Sequence, residues 1–232
     1  MNFESTSIIL FLNRLTQLGL AELWPYVSEN NPSKDAPYHN TSHMLYMAWL
    51  ADEFFQAHSS EEQFASNERE MIAAALFHDF DHSGGHEPDS VNIDRAVAAW
   101  YIAYEKLQPK LVNSKLVECL IRTTQYPYVG ETKTLAGKCL RDADLLYTTV
   151  MGNPYIVLRG LKAEMEIQLK KEITKEEMTE GYKEFIRKAD LNTDIAKIVR
   201  LQCFPPFTLS LAMQCTGVKP ISPAFAAEWL KG

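Results

Sequence analysis

The sequence predicts an all-α protein, a single-domain helical bundle, and three observations carry that expectation. Apolar residues recur at helical spacing in nearly every segment. Glycine is scarce, 10 among 232 residues, so few positions release the backbone from helix. No run alternates β-branched and polar residues as a half-buried strand does.

A first helix is expected over about residues 4–18, where Ile8, Phe11, Leu12 and Leu15 fall at helical spacing between polar residues. A short second helix follows over 21–28. Residues 30–37 hold two prolines and adjacent asparagines and read as a loop. Met44, Met47, Ala48, Ala51, Phe54 and Phe55 mark a helix over about 40–58. The next opens near Ser60 or Glu61, carries Ile72, Ala73, Leu76 and Phe77, and stops at Ser83-Gly84-Gly85. Asp89 or Ser90 is the expected cap of a helix running to about Leu107. Further helices are expected over 111–124, 134–150, 154–171 and 175–188. The charged stretch 164–180 reads as the solvated rim of a helix pair. In the tail, 195–230, Pro205, Pro206, Pro220 and Pro223 are expected to break the chain into short helices. No repeat, low-complexity tract or change of composition marks a linker, so residues 1–232 are taken as one helical domain.

Composition narrows the function classes. The net charge is −7, which repels nucleic-acid backbones and anionic lipid. A nucleic-acid polymer is therefore not an expected partner. A small anionic substrate remains compatible, because a bound metal reverses the field inside a pocket. No apolar run approaches the roughly 20 residues needed to cross a bilayer, and the N-terminal stretch lacks the basic start of a signal peptide. Cys119, Cys139, Cys203 and Cys215 show no C-x-x-C spacing and read as reduced, mostly buried thiols. A cytoplasmic protein, with a homodimer allowed, is the expectation.

Five of the six histidines fall in two clusters, around Tyr38-His39-Asn40-Thr41-Ser42-His43 and around His78-Asp79-Phe80-Asp81-His82 with His86. His39 and His43 lie four apart at a helix start and so share a face. They can share a metal, or one can bind metal while the other moves a proton. His78 and Asp79 follow the apolar run Met71 to Phe77. A buried imidazole and carboxylate need a partner, and a divalent cation is a good one. A third segment, Arg141-Asp142-Ala143-Asp144-Leu145, places two acids two apart in an apolar helix. They point in different directions, and the pattern alone does not say which faces the core.

In order, His43, His78-Asp79 and Asp144 resemble the H…HD…D pattern of the HD-domain superfamily of metal-dependent phosphohydrolases. The resemblance spans about residues 38–150, leaving 151–232 as additional C-terminal helices. It implies an HD-type helical bundle, metal ligands His43, His78, Asp79 and Asp144, and one or two divalent ions. Zinc, manganese, magnesium, iron and nickel are not distinguished. The form Ala143-Asp144-Leu145 resembles the last ligand motif and selects Asp144 over Asp142. Tyr38-His39-Asn40-x-x-His43 and His78-Asp79-x-Asp81-His82-x-Gly84 are similar to motifs of the helical cyclic-nucleotide phosphodiesterases. That branch implies His39 as proton donor to the leaving oxygen, Asp79 as a bridge between two metals, and His82 as a base or a group beside the second metal. Asp81 or Asp142 would orient a ligand histidine. The stretch Asp142–Leu145 and the Asn92…Arg95-Ala96 segment also resemble small bacterial HD proteins.

The branch's purine clamp, Q-x-x-F, is not reproduced: Leu201-Gln202-Cys203-Phe204 has different spacing and two prolines after it. The implied function is hydrolysis of a phosphoester of a small metabolite or nucleotide by metal-activated water. A cyclic-nucleotide-type phosphodiesterase, a di-iron HD oxygenase and a non-catalytic metal-binding regulatory module are the alternatives. Gln202, Phe204, Phe207 and Trp229 are candidate pocket walls, and Arg95, Arg122 and Lys115 candidate phosphate contacts.

Overall fold

The computed structural model describes residues 3–58, 67–128 and 130–215. Among them are ten α-helices and no strand. In chain order they are α1 (Phe3–Gln17), α2 (Leu23–Asn30), α3 (Thr41–His58), α4 (Glu68–Phe77), α5 (Asp89–Leu107), α6 (Ser114–Thr123) and α7 (Leu135–Met151). A π-helical turn, Ile156–Leu161, leads into α8 (Lys162–Leu169), followed by α9 (Lys175–Lys188) and α10 (Asp194–Cys215).

Helix α4 sits at the centre for a simple reason. Every residue from Met71 to Phe77 is apolar and all are fully buried, so the helix has no face to offer water. Its main neighbours are α3 and α6, and α3 in turn packs most extensively against α7. Phe54, Phe55, Phe77 and Trp100 fill the space between them, with Trp100 edge-on to Phe77 at 5.3 Å. The start of α3, the residues just after α4 and the middle of α7, which carry the histidines and aspartates, therefore meet at one core.

Several local features differ from the sequence reading. Helix α4 ends at Phe77, well before Ser83. Asp81 adopts φ 61° and its N–H is taken by Asn31 Oδ1 at 2.9 Å, which turns the chain away from the helix axis. The expected opening at Ser60 or Glu61 lies outside the described residues, as do Pro220, Pro223 and Trp229. Asp89 is the first residue of α5, not its cap, and Pro88 precedes it. The Asp89 carboxylate instead accepts from Tyr126 N at 2.6 Å. Helix α10 runs unbroken through Pro205 and Pro206. The carbonyls those prolines leave without a donor belong to Leu201 and Gln202, both exposed, where water serves. The four cysteines are free thiols, but only Cys139 is buried. No described helix is long and apolar enough to cross a membrane.

Candidate metal centre and adjoining cavity

Each donor is placed by an identifiable local cause. Asn40 Oδ1 accepts from His43 N at 3.1 Å, capping the first turn of α3 and directing His43 inward. His78 follows the last residue of α4, and its Nδ1 meets Ala75 O at 2.8 Å. A carbonyl only accepts, so Nδ1 carries the proton and Nε2 is the side that receives a cation. Asp79 comes next, as the chain leaves the helix. On α7, Asp142 and Asp144 do point to opposite faces, and Asp144 is the one that turns to the histidines.

The result is a four-residue cluster, with one donor atom from each of His43, His78, Asp79 and Asp144 within 4.8 Å of the others. His43 Nε2 and His78 Nε2 face each other at 3.0 Å. Asp79 Oδ2 lies 2.8 Å from the first and 2.9 Å from the second, and Asp144 Oδ1 lies 3.4 and 3.8 Å away. Two nitrogen lone pairs at that distance repel unless a positive charge sits between them, whether proton or metal. Burial lowers the His78 imidazolium pKa, but Asp79 and Asp144 outweigh it and lift the group to about 9. Burial alone would raise Asp79; His78 and His39 hold it well below the usual carboxylate range. His43, dominated by burial, is pushed down. Its buried Nδ1 is without a hydrogen-bond partner. The donor chemistry, two imidazoles and two carboxylates around one point, fits a divalent cation that would displace the shared proton.

Beside this cluster is a second, His39, His82 and Glu164. Glu164 Oε1 accepts from Tyr38 N at 2.8 Å and His39 N at 3.1 Å, while Oε2 meets His39 Nδ1 at 2.5 Å. The His82 ring stacks on His39 with centroids 3.7 Å apart. Its Nδ1 accepts from Gly84 N at 3.1 Å and its Nε2 lies 3.0 Å from Asn92 Nδ2. Burial lowers His39, yet Asp79 and Glu164 raise it further, so it ends above the usual imidazole range. His82 moves the other way, to about 4, through burial and the neighbouring His39.

The sequence pattern does not single out Glu164, whose stretch reads as a solvated rim. In the structure it is 3% exposed. The π-helical turn brings it there: Gly160 packs so closely on the Pro37 carbonyl that a β-carbon would collide with it, and Gly85 is equally tight against the Glu164 backbone. The available signal is register. Glu164 stands four residues after Gly160 and seven after Val157, both buried, and so lies on an apolar stripe.

Asp142, expected as an orienting group for a ligand histidine, does something else. It is fully buried and accepts from Asn192 N, Asn192 Nδ2, Thr193 N and Thr193 Oγ1 at 2.7–2.9 Å. That anchors the start of α10. His78, the candidate donor with a fixed tautomer, is oriented by a backbone carbonyl and not by Asp81.

A cavity of about 500 Å³ opens on both clusters. Asp144, His39, His82 and Glu164 form one part of its wall; Tyr126, Tyr128, Tyr182 and Phe185 form another. Phe207 is in the core against Tyr182, and neither it, Phe204 nor Gln202 lines the cavity. Arg95, Lys115 and Arg122 do not line it either, and Arg122 is paired with Asp94 and Glu118. No protein-family model, curated protein or solved structure matches this chain.

Proposed function

We propose that this chain is a metal-dependent phosphohydrolase of the HD-domain superfamily, cleaving a phosphoester of a small molecule. The observation that carries the reading is the juxtaposition of two unlike clusters on one cavity. A four-donor centre suited to a cation lies next to a histidine whose proton is held by a buried glutamate. Cavity volume agrees with a small-molecule substrate.

His43, His78, Asp79 and Asp144 would hold the metal. A bound divalent cation supplies an acidified water and neutralises charge developing on the phosphoryl oxygens. His39 then gives a proton to the departing oxygen. Its ring lies 5.6 Å from that of His43, and its ligand atom groups with His82 and Glu164 and not with the four donors. Glu164 fixes the His39 ring through Nδ1, leaving Nε2 as the atom that delivers the proton. Its carboxylate, with that of Asp79, raises the His39 pKa against the opposing effect of burial. His82 stacks on His39 and limits its rotation.

The test uses the full chain loaded separately with manganese, zinc, magnesium, iron and nickel. It is assayed on aryl phosphomonoesters and phosphodiesters, and metal content is measured on the same samples. Asp79→Asn should lose metal and turnover together. His39→Ala should keep its metal and lose about 10²–10³-fold in turnover, most on poor leaving groups. No turnover with any metal would sink the reading, and a mixed-valent di-iron spectrum would replace it with oxygen chemistry.

A further inference from the structure

The second part of the cavity wall has a chemistry of its own. Tyr126 stands edge-on to Tyr128 at 5.5 Å and to Phe185 at 5.9 Å, and Phe185 continues to Tyr182 at 6.4 Å. Tyr126 is 52% and Phe185 37% exposed, so aromatic surface is left uncovered where the cavity opens. Among the described residues lining the cavity there is no lysine or arginine. Carboxylates are present: Glu87 and Asp89 line this part, and Asp89 is tied to the aromatic group through Tyr126 N at 2.6 Å. The arginine that touches the aromatic group is already committed. Arg141 lies against the Tyr128 ring at 4.3 Å, is held there by Thr123 O and Gly130 O and does not line the cavity, so Tyr126 and Phe185 offer the aromatic faces without a cation.

We propose that Tyr126, Tyr128, Phe185 and Asp89 form a subsite for the organic part of the substrate, which is apolar and neutral or cationic, with a cation preferred. This rests on the phosphohydrolase reading for the identity of the other end, a single phosphoester. The physical basis is direct. Aromatic faces attract cations and tolerate neutral apolar groups. Uncompensated carboxylates in a partly enclosed site repel a second negative charge. A phosphoester of an aromatic or quaternary-ammonium alcohol fits such a wall. A nucleoside polyphosphate or sugar bisphosphate would bring its extra anionic group against Glu87 and Asp89, in a cavity whose described lining holds no lysine or arginine.

The experiment titrates the metal-loaded full chain calorimetrically with three phosphate-free probes: benzyltrimethylammonium, benzyl alcohol and benzenesulfonate. Saturating inorganic phosphate is present to occupy the metal end. Benzyltrimethylammonium should bind at least tenfold more tightly than benzenesulfonate, with benzyl alcohol between them. Asp89→Asn keeps an acceptor for Tyr126 N and should erase the gap between the ammonium and the alcohol. Tyr126→Ala should weaken both. Equal affinity for ammonium and sulfonate, or an unchanged gap in Asp89→Asn, overturns the subsite. Expected probe binding with no phosphoester turned over upholds the subsite and sinks the hydrolase reading. Turnover that is equally efficient on anionic and cationic aryl phosphates does the reverse.

Discussion

The two clusters beside the cavity use the same residue types and reach opposite electrostatic states. In the first, the donor atoms point at one another: His43 Nε2 and His78 Nε2 are 3.0 Å apart with Asp79 touching both. Nothing in the protein satisfies that arrangement except a shared positive charge. In the second, the carboxylate and most of the ring nitrogens already have protein partners, and His39 Nε2 is left open. Glu164 spends both oxygens on Tyr38 and His39, and His82 Nδ1 accepts from Gly84 N. Both histidine–carboxylate clusters have the donors to hold a cation, and they differ in how far those donors are already engaged. The deciding quantity is how much of its hydrogen-bonding capacity remains unspent after folding.

The sharpest way to break this contrast is at Glu164. Glu164→Gln should leave metal content unchanged, because no donor of the first cluster bonds to it. Turnover should fall about 10–100-fold, most on poor leaving groups. The pH profile carries the sign. Glu164 helps raise His39 against the opposing effect of burial, and a general acid works only while protonated. Removing the charge should therefore shift the alkaline limb to lower pH. Loss of metal from this variant would show that the two clusters are one.

The next effect is in stability and compares neighbours on α7. Asp142 accepts four hydrogen bonds from Asn192 and Thr193, whereas Asp144 faces the histidines. Asp142→Asn sets an amide donor against existing donors, costing about 2–3 kcal/mol. The melting temperature should drop by about 8 °C, with metal content intact. Asp144→Asn should do the converse, losing metal while barely changing the melting temperature of the metal-free protein. Equal metal loss in both would mean that Asp142 serves the metal after all.

What is legible in the sequence follows the same physics. Polar residues at the end of an unbroken apolar run, His78 and Asp79 after Met71–Phe77, stand out because burial without a partner is costly. The expected limits of α9 coincide with the observed ones, Lys175–Lys188, since Thr174 and Glu177 form a capping box local in sequence. Spacing places Asp142 and Asp144 on different faces but does not say what either meets, because Asn192 and Thr193 are about 50 residues away. Glu164 is hidden by its charged neighbours, and the π-helical turn that aims it depends on Gly160 fitting against Pro37. The cavity's aromatic wall joins Tyr126 and Tyr128 to Tyr182 and Phe185, a pairing that no short-range pattern contains.

The last effect, seen only as a dependence on pH, concerns a buried carboxylate outside both clusters. Asp52 is 4% exposed and meets Arg14 Nε at 3.0 Å. Burial and Glu68 nevertheless outweigh Arg14, and its pKa rises to about 6. Asp79 is also buried, yet two histidines keep it ionised. For Asp52 the folded value exceeds the unfolded value of about 3.9, so the folded state binds the proton more tightly. The associated stability is fully present below about pH 4 and is lost as pH rises through about 6. A gap of about two pK units corresponds to about 2–3 kcal/mol. The amide that Asp52→Asn introduces does not titrate. The variant should therefore gain about that much on the wild type between pH 4 and pH 7.5. Melting curves of both proteins across that range decide it: parallel curves would mean that Arg14 holds Asp52 as firmly as the histidines hold Asp79.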